Sequence, residues 1–172
     1  MKALPASMRK IANVGLIAFA VLIASSAIVH AGPRSDGTAS LARTSHASPV
    51  NKTHARADRG DARAQTMLGF MYEYGRGVPQ DYAEAAYWYA CAAERGHATA
   101  QYLLGLMYDK GHGTIRSGVL AHKWLNLAAA GARPGVREHY MRIRNAVAAK
   151  LTPAQLAEAQ WLAHQFVALA QP

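Results

Sequence analysis

Apolar positions recur along this chain with two periods at once. Within Gly60 to Gly96, Ala64, Leu68, Met71 and Tyr72 fall at i, i+4, i+7 and i+8, which is one face of a helix, while Arg63, Gln65 and Glu73 turn elsewhere. A second apolar run holds Ala85, Trp88, Tyr89, Ala92 and Ala93 and predicts a second helix ending near Gly96. Between the two, Gly75, Gly77 and Pro79 end the first helix, because glycine accepts the left-handed conformation of a helix C-terminus and proline cannot continue a helix. Asp81 predicts the N-cap of the second helix, with Glu84 reaching back to complete a capping box.

The longer period is one whole hairpin. Leu68 and Leu104, Gly69 and Gly105, Met71 and Met107, Tyr72 and Tyr108 match, as do Gly75 and Gly111, Gly77 and Gly113, Ala85 and Ala121, and Trp88 and Trp124, all separated by 36 residues (105 − 69 = 36). A fixed step in the range of roughly 20 to 50 residues marks a stacked repeat array. Gly69 and Gly105 lie inside helices, where glycine costs about 1 kcal/mol relative to alanine. The expected return is close approach of a neighbouring helix.

These residues resemble Sel1-like repeats, relatives of the tetratricopeptide repeat. The first copy carries the pattern at Ala64, Leu68, Gly69, Tyr72, Gly75, Gly77, Val78, Asp81, Ala85, Trp88, Ala92 and Ala93. The second keeps Ala100, Leu104, Gly105, Tyr108, Gly111, Gly113, Ala121, Trp124, Ala128 and Ala129, but has Thr114 for the valine and Ser117 for the aspartate. It also loses one residue near Gly131, which predicts a non-standard exit turn. The resemblance implies an all-α, right-handed α–α superhelix of stacked hairpins.

The array spans residues 50–172, with one repeat at 60–96, a second at 97–132 and a degenerate helical pair at 133–170. In the last part Val136, Tyr140, Ile143, Val147 and Leu151 keep helical spacing after Pro134. Thr152, Pro153 and Gln155 then supply an N-cap, a first-turn proline and a capping-box partner, and Trp161 falls 37 residues after Trp124. Before the first repeat, Ala57 to Gln65 mirrors Ala93 to Gln101 and predicts a short N-terminal cap. A stack needs about three units to bury its ends, which two full units between two degenerate caps supply.

The N-terminal third reads differently. Lys2, Arg9 and Lys10 precede an uncharged apolar run from Ile11 to Val29, and Val29-His30-Ala31 ends it with small residues, the form of a secretory signal peptide cleaved after Ala31. An uncleaved run of this length is the alternative, anchoring the chain in the inner membrane with the repeats on the periplasmic side. Residues 32–49, rich in Ser, Gly, Thr and Ala, have the composition of a disordered linker. Both readings place the repeats in the periplasm or outside the cell.

Charge narrows the partners. The net charge is +9, yet residues 60–132 carry six basic and six acidic side chains, and the excess lies in the flanks, where it reads as solubilising charge. A neutral array without a basic stripe excludes nucleic acid as the expected partner. The eight histidines, His30, His46, His54, His97, His112, His122, His139 and His164, form no metal-ligand spacing. No metal or other cofactor is expected. Cys91 is the single cysteine and sits at the register of Leu127, so its plain reading is a small buried hydrophobe, with an intermolecular disulfide as the alternative. The Gly-x-Gly pairs follow helices rather than strands, which excludes a phosphate loop. The tryptophans and the Tyr82, Tyr87 and Tyr89 group read as helix packing.

No catalytic constellation assembles from these residues. The resemblance implies a non-catalytic scaffold, adaptor or regulator of the bacterial cell envelope, monomeric or weakly self-associating, that binds a protein partner on the concave face lined by the first helix of each unit. With Leu68, Gly69 and Tyr72 packed, that face presents Arg63, Thr66, Phe70, Glu73 and Tyr74 in the first unit, and Thr99, Tyr102, Leu106, Asp109 and Lys110 in the second. A cell-wall enzyme or enzyme-activating accessory, and a structural oligomer, are the competing readings.

Overall fold

A computed structural model describes residues 49–169, which form seven helices and no strand. The predicted signal segment, and the linker up to Pro49, lie outside the described residues. The helices are α1 (Pro49–Asp58), α2 (Ala62–Tyr74), α3 (Tyr82–Glu94), α4 (Ala98–Lys110), α5 (Gly118–Gly131), α6 (Pro134–Ala148) and α7 (Pro153–Leu169). The described residues form an all-α helical repeat solenoid in which each helix up to α6 packs on its predecessor.

The two units are built from the same local devices. Gly75 and Gly111 end α2 and α4 in the left-handed region at φ 65° and 75°, and their N–H groups donate to the carbonyls of Met71 and Met107. Asp81 caps α3 by accepting from the N–H groups of Ala83 and Glu84 at 2.8 and 3.1 Å. Ser117, which breaks the family pattern, adopts the same backbone conformation (φ −149° at both) and caps α5 by accepting from the N–H of Leu120. The expected return of Glu84 to the Asp81 N–H is not made, because that N–H donates to the Tyr72 carbonyl and so closes the loop onto α2. At α7 the capping box is complete: the Thr152 N–H donates to Gln155 Oε1, and the Gln155 N–H donates to Thr152 Oγ1.

Close approach explains the helical glycines. A Cβ on Gly69 would lie 2.6 Å from the Tyr89 ring, and one on Gly105 would lie 2.8 Å from Leu125 Cγ. The register is again 36 residues. Units join through buried glutamines, since Gln101 Nε2 donates to the Ala93 carbonyl and Gln65 Nε2 donates to the Ala57 carbonyl, both at 3.1 Å. By that equivalence α1 stands where a preceding unit would place its second helix. The main core runs through α3, α4 and α5, with Tyr89, Leu104, Met107 and Trp124 buried among alanines.

The C-terminal part departs from the reading of a third hairpin. Helices α6 and α7 each pack on α5 and share little with one another. Tyr140, Ile143 and Val147 seat α6, and Ala163 and Phe166 seat α7. The turn between α5 and α6 has no left-handed glycine, and Ala132 there is extended at φ −74° and ψ 146°. This follows from the residue lost near Gly131. Trp161, aligned with the repeat tryptophans by spacing, is 46% exposed, whereas Trp88 and Trp124 are buried. Tyr82 and Tyr87 are also exposed, and of the three tyrosines read as packing only Tyr89 is buried.

Candidate partner-binding surface

The ten side chains expected on the groove divide between the two units. On α2, Phe70 packs against Tyr74 with ring centroids 4.5 Å apart, and the Arg76 guanidinium lies 5.0 Å from the Phe70 centroid. Tyr74 is 54% exposed, and so is Met67. Met67, Phe70 and Tyr74 sit at i, i+3 and i+7, so they form a stripe along one face with exposed Arg63 at its N-terminal end. Met67 is not legible from the sequence as part of this face, because its partner by register, Leu103, packs into the core.

Thr66 and Glu73 are tied into the framework instead. Thr66 Oγ1 donates to the Ala62 carbonyl and lies 2.9 Å from Nδ1 of His97. Glu73 accepts from the Tyr89 hydroxyl at 2.7 Å. Burial, followed by that bond and the Glu73 charge, holds the Tyr89 hydroxyl protonated far above the ordinary tyrosine range. The Glu73 charge also raises Tyr74.

On α4 the expected face is partly taken by the C-terminal part of the chain. Tyr102 stacks on Tyr140 with centroids 4.3 Å apart and planes 10° apart, and its hydroxyl lies 2.9 Å from Nε2 of His139. Asp109 accepts from Lys150 Nζ at 3.2 Å. Tyr102 and Asp109, expected to face an open groove, are therefore turned to the C-terminal part of the chain. Leu106 is half-buried, and Thr99 and Lys110 remain exposed.

A cavity of about 390 Å³ opens where α1, α2 and α3 meet, and is lined in part by Gln65, Tyr87, Trp88, Cys91 and Arg95. Gln65 Oε1 and Trp88 Nε1 are buried there without a hydrogen-bond partner among the described residues. Cys91 is half-buried rather than fully enclosed, and burial pushes its thiol up, which lowers the thiolate fraction that disulfide exchange needs. At the register of Tyr87, Lys123 lies 4.3 Å from the Trp124 centroid and 5.2 Å from that of Phe166.

The Sel1 repeat family matches residues 62–97 and 98–132, which are α2 with α3 and α4 with α5. A Sel1 repeat protein from Oxalobacter formigenes is 39% identical over 52% of this chain and 68% of its own, with a TM-score of 0.49. The chain belongs to the Sel1-like repeat family. A protective antigen of uropathogenic Escherichia coli strains that displays an SLR fold is 34% identical, with a TM-score of 0.63 over 69% of this chain. The chain spans about a quarter of that antigen's length, 25%. No curated protein matches the chain. Sel1 repeat proteins generally mediate protein–protein interaction, and their fold is typically a non-catalytic scaffold.

Proposed function

We propose that this Sel1-like repeat protein is a non-catalytic adaptor or regulator of the bacterial cell envelope that holds a protein partner on the face of α2 and the free part of α4. The observation that carries the reading is the stripe of Met67, Phe70 and Tyr74, flanked by Arg63 and Arg76. An apolar and aromatic patch with a charged rim is the usual form of a protein-binding surface. Aromatic side chains supply large contact area at low conformational cost, because few of their bonds rotate. The basic, apolar and small-residue order of residues 1–31 supports export, and with it a periplasmic or secreted partner.

The reading is tested by cross-linking in the periplasm followed by mass spectrometry, with Phe70→Ala combined with Tyr74→Ala. This double variant is expected to melt within a few degrees of the parent and to lose the captured partner. Tyr102→Ala serves as the contrast, since removal of a side chain stacked on Tyr140 should lower the melting temperature. Capture that survives loss of both α2 aromatics would overturn the proposed face.

A further inference from the structure

Helix α6 and its N-cap carry Arg133, Arg137, Arg142 and Arg144 against one acid, Glu138. None of the four arginines has an ion-pair partner among the described residues, whereas Lys150 just beyond the helix is paired with Asp109. Two of the four are nevertheless held in place by neutral oxygens. Arg144 donates through Nη1 to Asn126 Oδ1 at 3.1 Å and through Nε and Nη2 to Asn145 Oδ1 at 3.1 and 2.9 Å. Arg137 Nη2 donates to the Ala132 carbonyl at 3.0 Å. Their positions are fixed while their charges are left without a counterion, and preorganised donors of this kind lose less entropy on meeting a carboxylate.

Arg137 and Arg144 stand at the two ends of a cleft of about 260 Å³ between α5 and α6, with Met141 between them and Asn126, Ala129 and Ala130 along the α5 side. We infer that this cleft docks an acidic, extended segment of the protein partner. The inference rests on the reading of the chain as a protein-binding module and names a second surface for it.

The spacing selects the ligand. Arg137 and Arg144 are seven residues apart on one helix face, which is about 10 Å at a rise of roughly 1.5 Å per residue. A polyproline-II chain rises about 3.1 Å per residue with about three residues per turn, so acids three positions apart lie on one side roughly 9 Å apart. Two such carboxylates meet the two guanidinium groups, and the residues between them lie over Met141 and Ala130. Phosphates of a nucleic acid or a lipid surface have no use for those two apolar side chains.

The test uses the full chain and a fluorescent peptide containing Glu-Pro-Leu-Glu, with Gln-Pro-Leu-Gln as control, followed by anisotropy. The acidic peptide should bind at about 20 mM salt, weaken several-fold by about 200 mM, and lose roughly fivefold in affinity with each of Arg137→Gln and Arg144→Gln, the upper range for an exposed ion pair. Met141→Glu, which places an acid inside the cleft, should abolish binding without touching either arginine. Equal binding of the glutamine peptide, or indifference to all three variants, overturns the inference. So does tighter arginine-dependent binding of a short oligonucleotide or of phosphatidylglycerol vesicles, or self-association that disappears in the arginine variants. The Phe70 and Tyr74 double variant should keep the acidic peptide, so failure of one surface is distinguishable from failure of the other.

Discussion

Gly69 lies so close to the ring of Tyr89 that a Cβ there would sit 2.6 Å from Cδ1, with the Ala85 carbonyl oxygen 3.1 Å away on the same side. Tyr89 cannot yield, because it is fully buried and its hydroxyl is tied to Glu73. Helix propensity alone favours Gly69→Ala by about 1 kcal/mol. Overpacking of a rigid core costs about 1–3 kcal/mol and should win here. Gly69→Ala is therefore expected to lower the melting temperature by several degrees, and Gly105→Ala, facing Leu125, to do the same. A rise in melting temperature in either variant would show that the helices of a unit are not held at this distance.

Two left-handed glycines separate conformational cost from crowding. Gly96 has φ +79° and open space, with nothing within 4 Å of where a Cβ would stand, while Gly113 has φ +65° and a Cβ there would fall on the Tyr82 carbonyl. Gly96→Ala should cost only the strain of a non-glycine residue in this region, about 1–2 kcal/mol. Gly113→Ala should cost clearly more, because the second unit's loop rests on the start of α3. Urea denaturation of both variants checks the ordering, and equal midpoints would contradict it.

That contact between neighbouring units bears on what the chain makes legible. The helices, their caps and the role of the glycines can be read from residues 60–132, because the two copies repeat the same local chemistry and a shared period constrains both. The fate of Tyr102 cannot be read. Its register partner is Thr66, which meets His97, and only the packing of α6 on the second unit decides that Tyr102 stacks on Tyr140. Likewise, Trp161 keeps nearly the right spacing from Trp124, but α7 packs directly on α5 without α6 as its hairpin partner, and its inward positions are Ala159 and Ala163. By count alone the arginines of α6 are solubilising charge; that two of them are fixed by neutral acceptors is a property of side-chain placement, which no spacing rule reveals.

Cys91 offers a comparison between the units. Leu127 occupies the same register in the second unit and is buried, whereas Cys91 is half-buried and borders the cavity beside Trp88. Cys91→Leu should fill part of that space and raise stability by roughly 0.8 kcal/mol per added buried methylene, to the extent that those atoms leave water. The variant also removes the thiol, so size-exclusion chromatography with and without reductant should give the same elution volume for variant and parent. A reductant-sensitive dimer in the parent alone would instead assign Cys91 an intermolecular disulfide.

His122 is buried on α5 at 3% exposure, and its Nδ1 has no partner among the described residues. Burial, reinforced by the Arg144 charge from α6, lowers its pKa below the ordinary 6.5. His97 is lowered in the same direction, by burial and by Arg63, with Asp61 opposing. Because both groups bind a proton more weakly in the folded chain than in the unfolded one, their contribution to stability is complete above pH 6.5 and is lost as the pH falls towards the depressed folded values. The melting temperature should therefore fall as the pH drops below 6.5, where histidines of the unfolded chain bind protons that the folded chain does not. Ala86 is the residue at the register of His122 in the first unit and is also buried. His122→Ala should lower the melting temperature at neutral pH, where a cavity replaces the ring, yet flatten its dependence on pH. A slope unchanged from the parent would show that protonation of His122 does not contribute to acid destabilisation.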